Sequence, residues 1–271
     1  MTTVKGDLIK LLEELFGIGA SYKANELLEI RGKFIDYLAT EENLFDLFQN
    51  PDNHVLAHDA VKFIDANMTL HRTADPEKAH VFAKPVLDRL FKIKDGSCDA
   101  TEWTYYDVVM FTGLCISTID MDQLMELYRS ALLTMESLDD HLLTAKLMNN
   151  YLLRLLHELS FEFDYYDNDE DKKDQIEFIE TAFIKDAQPA ITFCKKHGFK
   201  DWQYIIQAYV GLFEGNQSAI DESYKQLQTI LPDQACEVVA GKIKDYQKTD
   251  RYEQKEAEFE HQQEHLFEEV E

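Results

Sequence analysis

The chain has 271 residues, 45% of them hydrophobic and 29% charged, with 52 acidic and 27 basic side chains that leave a formal charge of −25. That length buries one large core or two small ones without difficulty. The charge repels phosphate backbones and acidic lipid surfaces, so it argues against nucleic-acid binding by this chain and favours a cationic partner or a peptide with a free amino end.

Only 10 glycines and 5 prolines occur, which favours helices with short connections over turn-rich sheets. The first stretch, MTTVKGDLIKLLEELFGIGA, mixes charges into its leucines and reads as neither a signal peptide nor a membrane span; a cytoplasmic location is expected. Apolar residues then recur at alternating spacings of three and four. The pattern predicts helices near 5–15, 22–38, 41–49, 54–68, 76–93, 101–117, 120–136, 139–160, 173–197, 201–214, 217–231 and 234–267. Ser137 is expected to cap the helix after it. Pro85 and Pro189 fall inside helical patterns, where a kink or break is expected. No stretch sustains strand alternation. Cys98, Cys115, Cys194 and Cys236 form no Cys-x-x-Cys pair and read as buried thiols.

Residues 201–231 form a helical hairpin in the sequence. Trp202, Ile205, Tyr209 and Leu212 stripe one helix, Gly215-Asn216 supplies the turn, and Ile220, Tyr224, Leu227 and Leu231 stripe the next before Pro232. The spacing follows a degenerate tetratricopeptide pattern, with Ile220 and Leu227 where that repeat usually has alanine. One such hairpin cannot bury both faces of its helices and must stack on neighbours. The expected fold is therefore all-α, an α-solenoid of stacked hairpins over residues 1–241. An acidic helix or tail follows at 242–271, with Tyr252, Phe259 and Leu266 at intervals of seven, as in a docking or dimer-seam helix.

The stretch PVLDRLFKIKDGSCDATEWTYYDVVMFTGLC (85–115) resembles the Rgg/GadR/MutR regulators of Gram-positive bacteria. Trp103, Tyr105, Tyr106 and Asp107 match that family's aromatic signature. The likeness continues through LLTAKLMNNYLLRLL (142–156), where Asn150 matches a family asparagine, and ends with the hairpin. The resemblance implies a homodimeric peptide-pheromone receptor and transcription regulator with a tetratricopeptide-like domain. Two departures stand out. Residues 1–70 are acidic and lack a basic recognition helix, and Gly113 stands near a place where some relatives carry asparagine.

Asn150, Arg154 and His157 share one helical face, opposite Met148, Leu152, Leu155 and Leu159. Asparagine can donate and accept toward a peptide backbone, and arginine can hold a carboxylate with both its nitrogens. With Asn149 and Tyr106 they form the expected peptide-binding set. A solvated face is the alternative for the trio, and core packing is the better account of Trp103, Tyr106 and Met110.

Other motifs are weaker. HQQEH (261–265) matches an inverted zinc-peptidase pattern without a third ligand, and Glu77/His80 and Glu258/His261 form Glu-x-x-His pairs. DYYDNDEDKKDQIE (164–177) opens like a calcium loop but has Lys172 where glycine is needed, so it reads as a solvated acidic loop. GIGASY (17–22) lacks the third glycine of a dinucleotide fingerprint. No metal or cofactor is expected. The leading expectation is a non-enzymatic regulatory protein that binds a short signalling peptide in a helical-repeat groove. The alternatives are an adaptor that binds another protein and, less favoured, a helical metalloenzyme.

Overall fold

In the computed structural model, the described residues are 6–17, 24–40, 51–73, 75–95, 103–115, 121–166 and 170–268, and they are helical with short connections. The helices of the first unit are α1 (Gly6–Gly17), α2 (Ala24–Ala39), α3 (Pro51–Thr73), α4 (Pro76–Asp95), α5 (Tyr105–Leu114) and α6 (Met121–Leu138). Those of the second are α7 (His141–Tyr166), α8 (Glu170–His197), α9 (Lys200–Glu214), α10 (Gln217–Gln228), α11 (Asp233–Tyr246) and α12 (Asp250–Glu268). The chain divides into two compact units, Met1–Asp140 and His141–Glu271. The expected all-α class is what the structure has. The helix expected at 41–49, the GIGASY stretch beyond Gly17 and Cys98 lie outside the described residues.

Each unit follows the sequence periodicity into its core. Leu8, Leu12 and Leu15 of α1 and Leu27, Ile30, Phe34 and Tyr37 of α2 are buried at spacings of three and four. Each such side chain contributes about 1.5–3 kcal/mol by leaving water. In the first unit successive helices pack on one another throughout, and α1 on α3, α3 on α5 and α4 on α6 besides. In the second unit α7 packs on α8, α8 on α9, α9 on α10 and α10 on α11, while α7 also packs on α9 and α9 on α11. Packing on the next helix and the next but one is what stacked hairpins do. Among the described helices α12 departs from this order, because its main contacts are with α7 and α9.

The α9–α10 turn shows how the sequence sets the hairpin. Gly215 is left-handed at φ 69°, and Asn216 Oδ1 accepts from the Ala219 backbone N–H at 3.0 Å, capping α10. Gly215 also faces α12 so closely that a Cβ there would lie within 3.0 Å of the Lys255 and Glu256 backbone.

Several boundaries differ from expectation. The stretch 234–267 is two helices, broken at 247–249, because Thr249 Oγ1 accepts from the Tyr252 N–H at 3.3 Å and starts α12 afresh. Ser137 lies inside α6, where its hydroxyl donates to the Thr134 carbonyl at 2.7 Å, so it does not cap α7. Asp139 ends α6 with a φ of 56°, a conformation its short polar side chain tolerates. Neither Pro85 nor Pro189 ends its helix. The expected acidic loop is mostly helix, since α7 runs to Tyr166 and α8 begins at Glu170.

The expected division at 241 is not where the compact units part. The tail instead belongs to the second unit through α12, where Arg251 and Tyr252 are 1% and 3% exposed. Among the described residues no helix is long and apolar enough to cross a membrane.

Candidate functional site

The peptide-binding residues expected on one helix all fall on α7, where Leu152, Leu155 and Leu159 are buried and Asn150 and His157 lie on the more open face. Arg154 departs from the expected polar face. Arg154 is only 4% exposed, and its Nη1 donates to Glu158 one turn on, in a buried ion pair. Its guanidinium is therefore engaged by a carboxylate of its own helix. His157 is exposed; the protein around it, and then the positive charge of Arg154, hold its imidazole below its usual pKa. At neutral pH it is an uncharged donor–acceptor at the surface.

Asn149 and Asn150 behave differently from each other. Asn149 is 5% exposed, and its Nδ2 donates to Asn150 Oδ1 at 3.1 Å. Asn149 Oδ1 is buried without a hydrogen-bond partner, which costs about 1–3 kcal/mol unless another donor reaches it. Asn150 is half-buried and carries the side of the pair nearer solvent. The two form a short amide ladder beside the Arg154–Glu158 pair.

Tyr106 belongs to the first unit, and its packing there explains the aromatic signature. Its ring stacks on Phe16 at 6.4 Å and meets Tyr105 edge-on. Burial, and then the charge of Glu13, raise its hydroxyl pKa. Trp103 is buried, donates from Nε1 to the Leu90 carbonyl at 3.2 Å and meets Phe111 edge-to-face. Met110 is fully buried. Asp107 closes a capping box with Thr104. Its other oxygen accepts from Arg89 at 2.7 Å, and Arg89 also reaches Asp59 at 2.6 Å. The signature is thus a fold fastening that joins α3, α4 and α5.

This fastening was not legible as a unit, because its members stand 30 and 18 residues apart in the chain. The capping half was: Thr-x-x-Asp just before an apolar run is a helix-start signal. Burial raises the Asp59 carboxyl to about 6, against the opposing pull of Arg89. Burial also works against the charge on Arg89, yet the two carboxylates outweigh it and raise its pKa. Gly113 faces Phe63 so closely that a Cβ would overlap the ring, so an asparagine there would displace packing between α3 and α5.

The second unit holds one further constellation that the sequence reading missed. Arg251 of α12 donates from Nη2 to Glu180 at 2.9 Å and from Nε to the Tyr246 hydroxyl at 3.3 Å, and lies over the Phe213 ring at 5.4 Å. Phe213 in turn stacks on Phe183 at 4.7 Å. The Tyr252 hydroxyl donates to Gln217 at 3.0 Å, and Lys255 lies 3.9 Å from Glu180. A buried arginine between a carboxylate and an aromatic face has both charge and ring contacts. An Arg-Tyr pair after a Thr-Asp helix start was the available signal.

Among the described residues no group of three or more His, Cys, Asp or Glu side chains is placed to hold a metal ion. His261 is exposed on α12, and the side chain of His265 lies outside those described. Cys115, Cys194 and Cys236 are buried free thiols; burial pushes the Cys194 thiol up to about 11, which leaves it protonated and unreactive at neutral pH. Comparison of the chain with protein-family models, with curated proteins and with solved structures gives no match in any of the three.

Proposed function

We propose that this chain is a non-enzymatic regulatory protein whose second unit binds a short peptide along the row formed by α7, α9 and α11. The observation that carries this reading is the order of packing. The odd-numbered helices of that unit touch one another in sequence, while α8 and α10 make no comparable contact. A stack whose one row is closed and whose other row is splayed curves toward the closed row, as an α-solenoid does, and leaves a concave binding surface there. That row already accepts one helical segment, since α12 lies on α7 and α9.

The formal charge of −25 favours a cationic peptide, and Asn150, with Asn149 behind it, offers amide groups for a peptide backbone. The resemblance of residues 85–115 to Rgg/GadR/MutR regulators supports a signalling peptide, a regulatory role and a homodimer. Of the stripe expected for a docking or dimer-seam helix, Tyr252 is buried against its own chain.

The test is a peptide library displayed on phage and selected on the full chain, its consensus then measured on the natural and Asn150→Ala chains. The reading expects a convergent, basic consensus whose binding weakens on Asn150→Ala. No convergence, or a consensus that binds both chains equally, would contradict it.

A further inference from the structure

The packing of α12 carries a second conclusion, which rests on the peptide-binding reading and names the chemistry of the ligand. The residues around Arg251 make a seat for a cationic side chain: the Glu180 carboxylate, the Phe213 ring and the Tyr246 hydroxyl. Phe183 supports the ring from behind, and Gln217 receives the neighbouring tyrosine hydroxyl. The turn at Gly215 has no side chain in the path of the helix that passes it, and the backbone of Lys255 and Glu256 occupies that space. The seat draws on α8, α9 and α11, the tyrosine acceptor on α10 and the glycine notch on the α9–α10 turn, and all of them engage the first two turns of α12.

Most of the other described side chains of α12 are open to solvent. Glu253, Gln254, Ala257, Glu258, Glu260, His261 and Gln262 are exposed. The helix also carries many acids on a chain whose net charge is already −25, so its presence adds like charge to the surface. Its hold therefore depends on Arg251, Tyr252 and Lys255. A segment with the same arginine and aromatic residue but without the acids would make the same contacts with less repulsion.

We infer that α12 is a tethered stand-in for the ligand: the Glu180–Phe213–Tyr246 seat takes an arginine from a basic peptide when α12 releases, and α12 closes it otherwise. The tether presents α12 at roughly millimolar effective concentration. A peptide displaces α12 when its concentration relative to its Kd exceeds that effective concentration relative to the helix's own Kd, so the same helix sets the threshold for the response. The mechanism is a shift between a self-occupied and a peptide-occupied state.

The experiment uses the full chain and a fluorescein-labelled synthetic peptide spanning residues 249–262, read by fluorescence anisotropy. Against the natural chain the probe should bind weakly, because the tethered helix competes. Against the Arg251→Ala chain it should bind at least tenfold more tightly, and a probe carrying Arg251→Ala should lose that gain. Equal binding of the probe to both chains, or equal binding of both probes, would overturn the inference. Hydrogen exchange on the natural chain guards against a variant that fails to fold. Amides of 253–262 should exchange at least tenfold faster than those of 205–212; equal rates would show that α12 opens only with the whole unit and would overturn the inference as well. A library peptide that binds the natural and Arg251→Ala chains equally would remove this conclusion and leave the peptide-binding reading standing. The probe result without any library consensus would do the reverse.

Discussion

Gly215 and Glu256 are in backbone contact: the Cα of one lies where a side chain would strike the amide of the other. The two are far apart in the chain, so this contact fixes α12 against the α9–α10 turn. Gly215 also sits at φ 69°, and Gly198 at φ 80° with open space around it. The pair separates two costs. Gly198→Ala should cost about 1 kcal/mol, the strain of a left-handed alanine. Gly215→Ala should cost the same strain and also push α12 away. Urea denaturation of both variants should show the Gly215 variant as the less stable by at least a further 1 kcal/mol. Equal losses would mean that α12 does not hold this position.

The Arg89 fastening predicts a pH signature. Folding raises the Asp59 carboxyl from 3.8 to about 6, so its contribution to stability is full below pH 3.8 and is lost as pH rises through 6. Asp59→Asn removes that titration while leaving Asp107 to pair with Arg89. The stability of the asparagine chain relative to the natural one should therefore improve by about 1 kcal/mol between pH 5 and pH 7. Chemical denaturation at both pH values measures it, and a difference that stays flat would contradict the assignment. Arg89→Met, by contrast, leaves two carboxylates without their partner and should cost about 3–5 kcal/mol at pH 7.

How far these features were legible depends on their range along the chain. Periodicity placed most helices within a few residues, because their buried stripes are local: Leu27, Ile30, Phe34 and Tyr37 declare α2 on their own. Pro85 and Pro189 do not break their helices, because helical neighbours on both sides carry the chain through them. The break at 247–249 was hidden by helix-compatible residues on either side, although Thr249-Asp250 is a start signal. Of the seat of Arg251 only the local start, Thr249-Asp250 ahead of Arg251 and Tyr252, could be read. Glu180 stands 71 residues from its arginine, and nothing local tells a charged residue at a solvent-facing position from one that is 1% exposed. The same holds for Arg154. Its spacing with Asn150 and His157 was correct, but its burial with Glu158 was set by helices from elsewhere in the sequence.

Arg154 therefore carries a prediction about stability. Arg154→Ala leaves the Glu158 carboxylate, 10% exposed at its side chain, without its pair and should cost about 3–5 kcal/mol. Arg154→Ala with Glu158→Ala together should recover part of that loss. Thermal melts of the three chains decide it; an Arg154→Ala chain as stable as the natural one would return the residue to the surface role expected from the sequence. His157→Ala, at an exposed position, should change stability by less than about 0.5 kcal/mol.

Peptide binding at the α7 face is tested by isothermal titration of a library-selected peptide into the natural and Asn150→Ala chains. Asn150 is half-buried, and its side chain already receives a hydrogen bond from Asn149. Loss of an amide that pairs with a ligand backbone is worth about 1–3 kcal/mol. The account predicts affinity weaker by roughly ten- to a hundredfold, with a melting temperature close to that of the natural chain. Equal affinity for the two chains, with both folded, would contradict it.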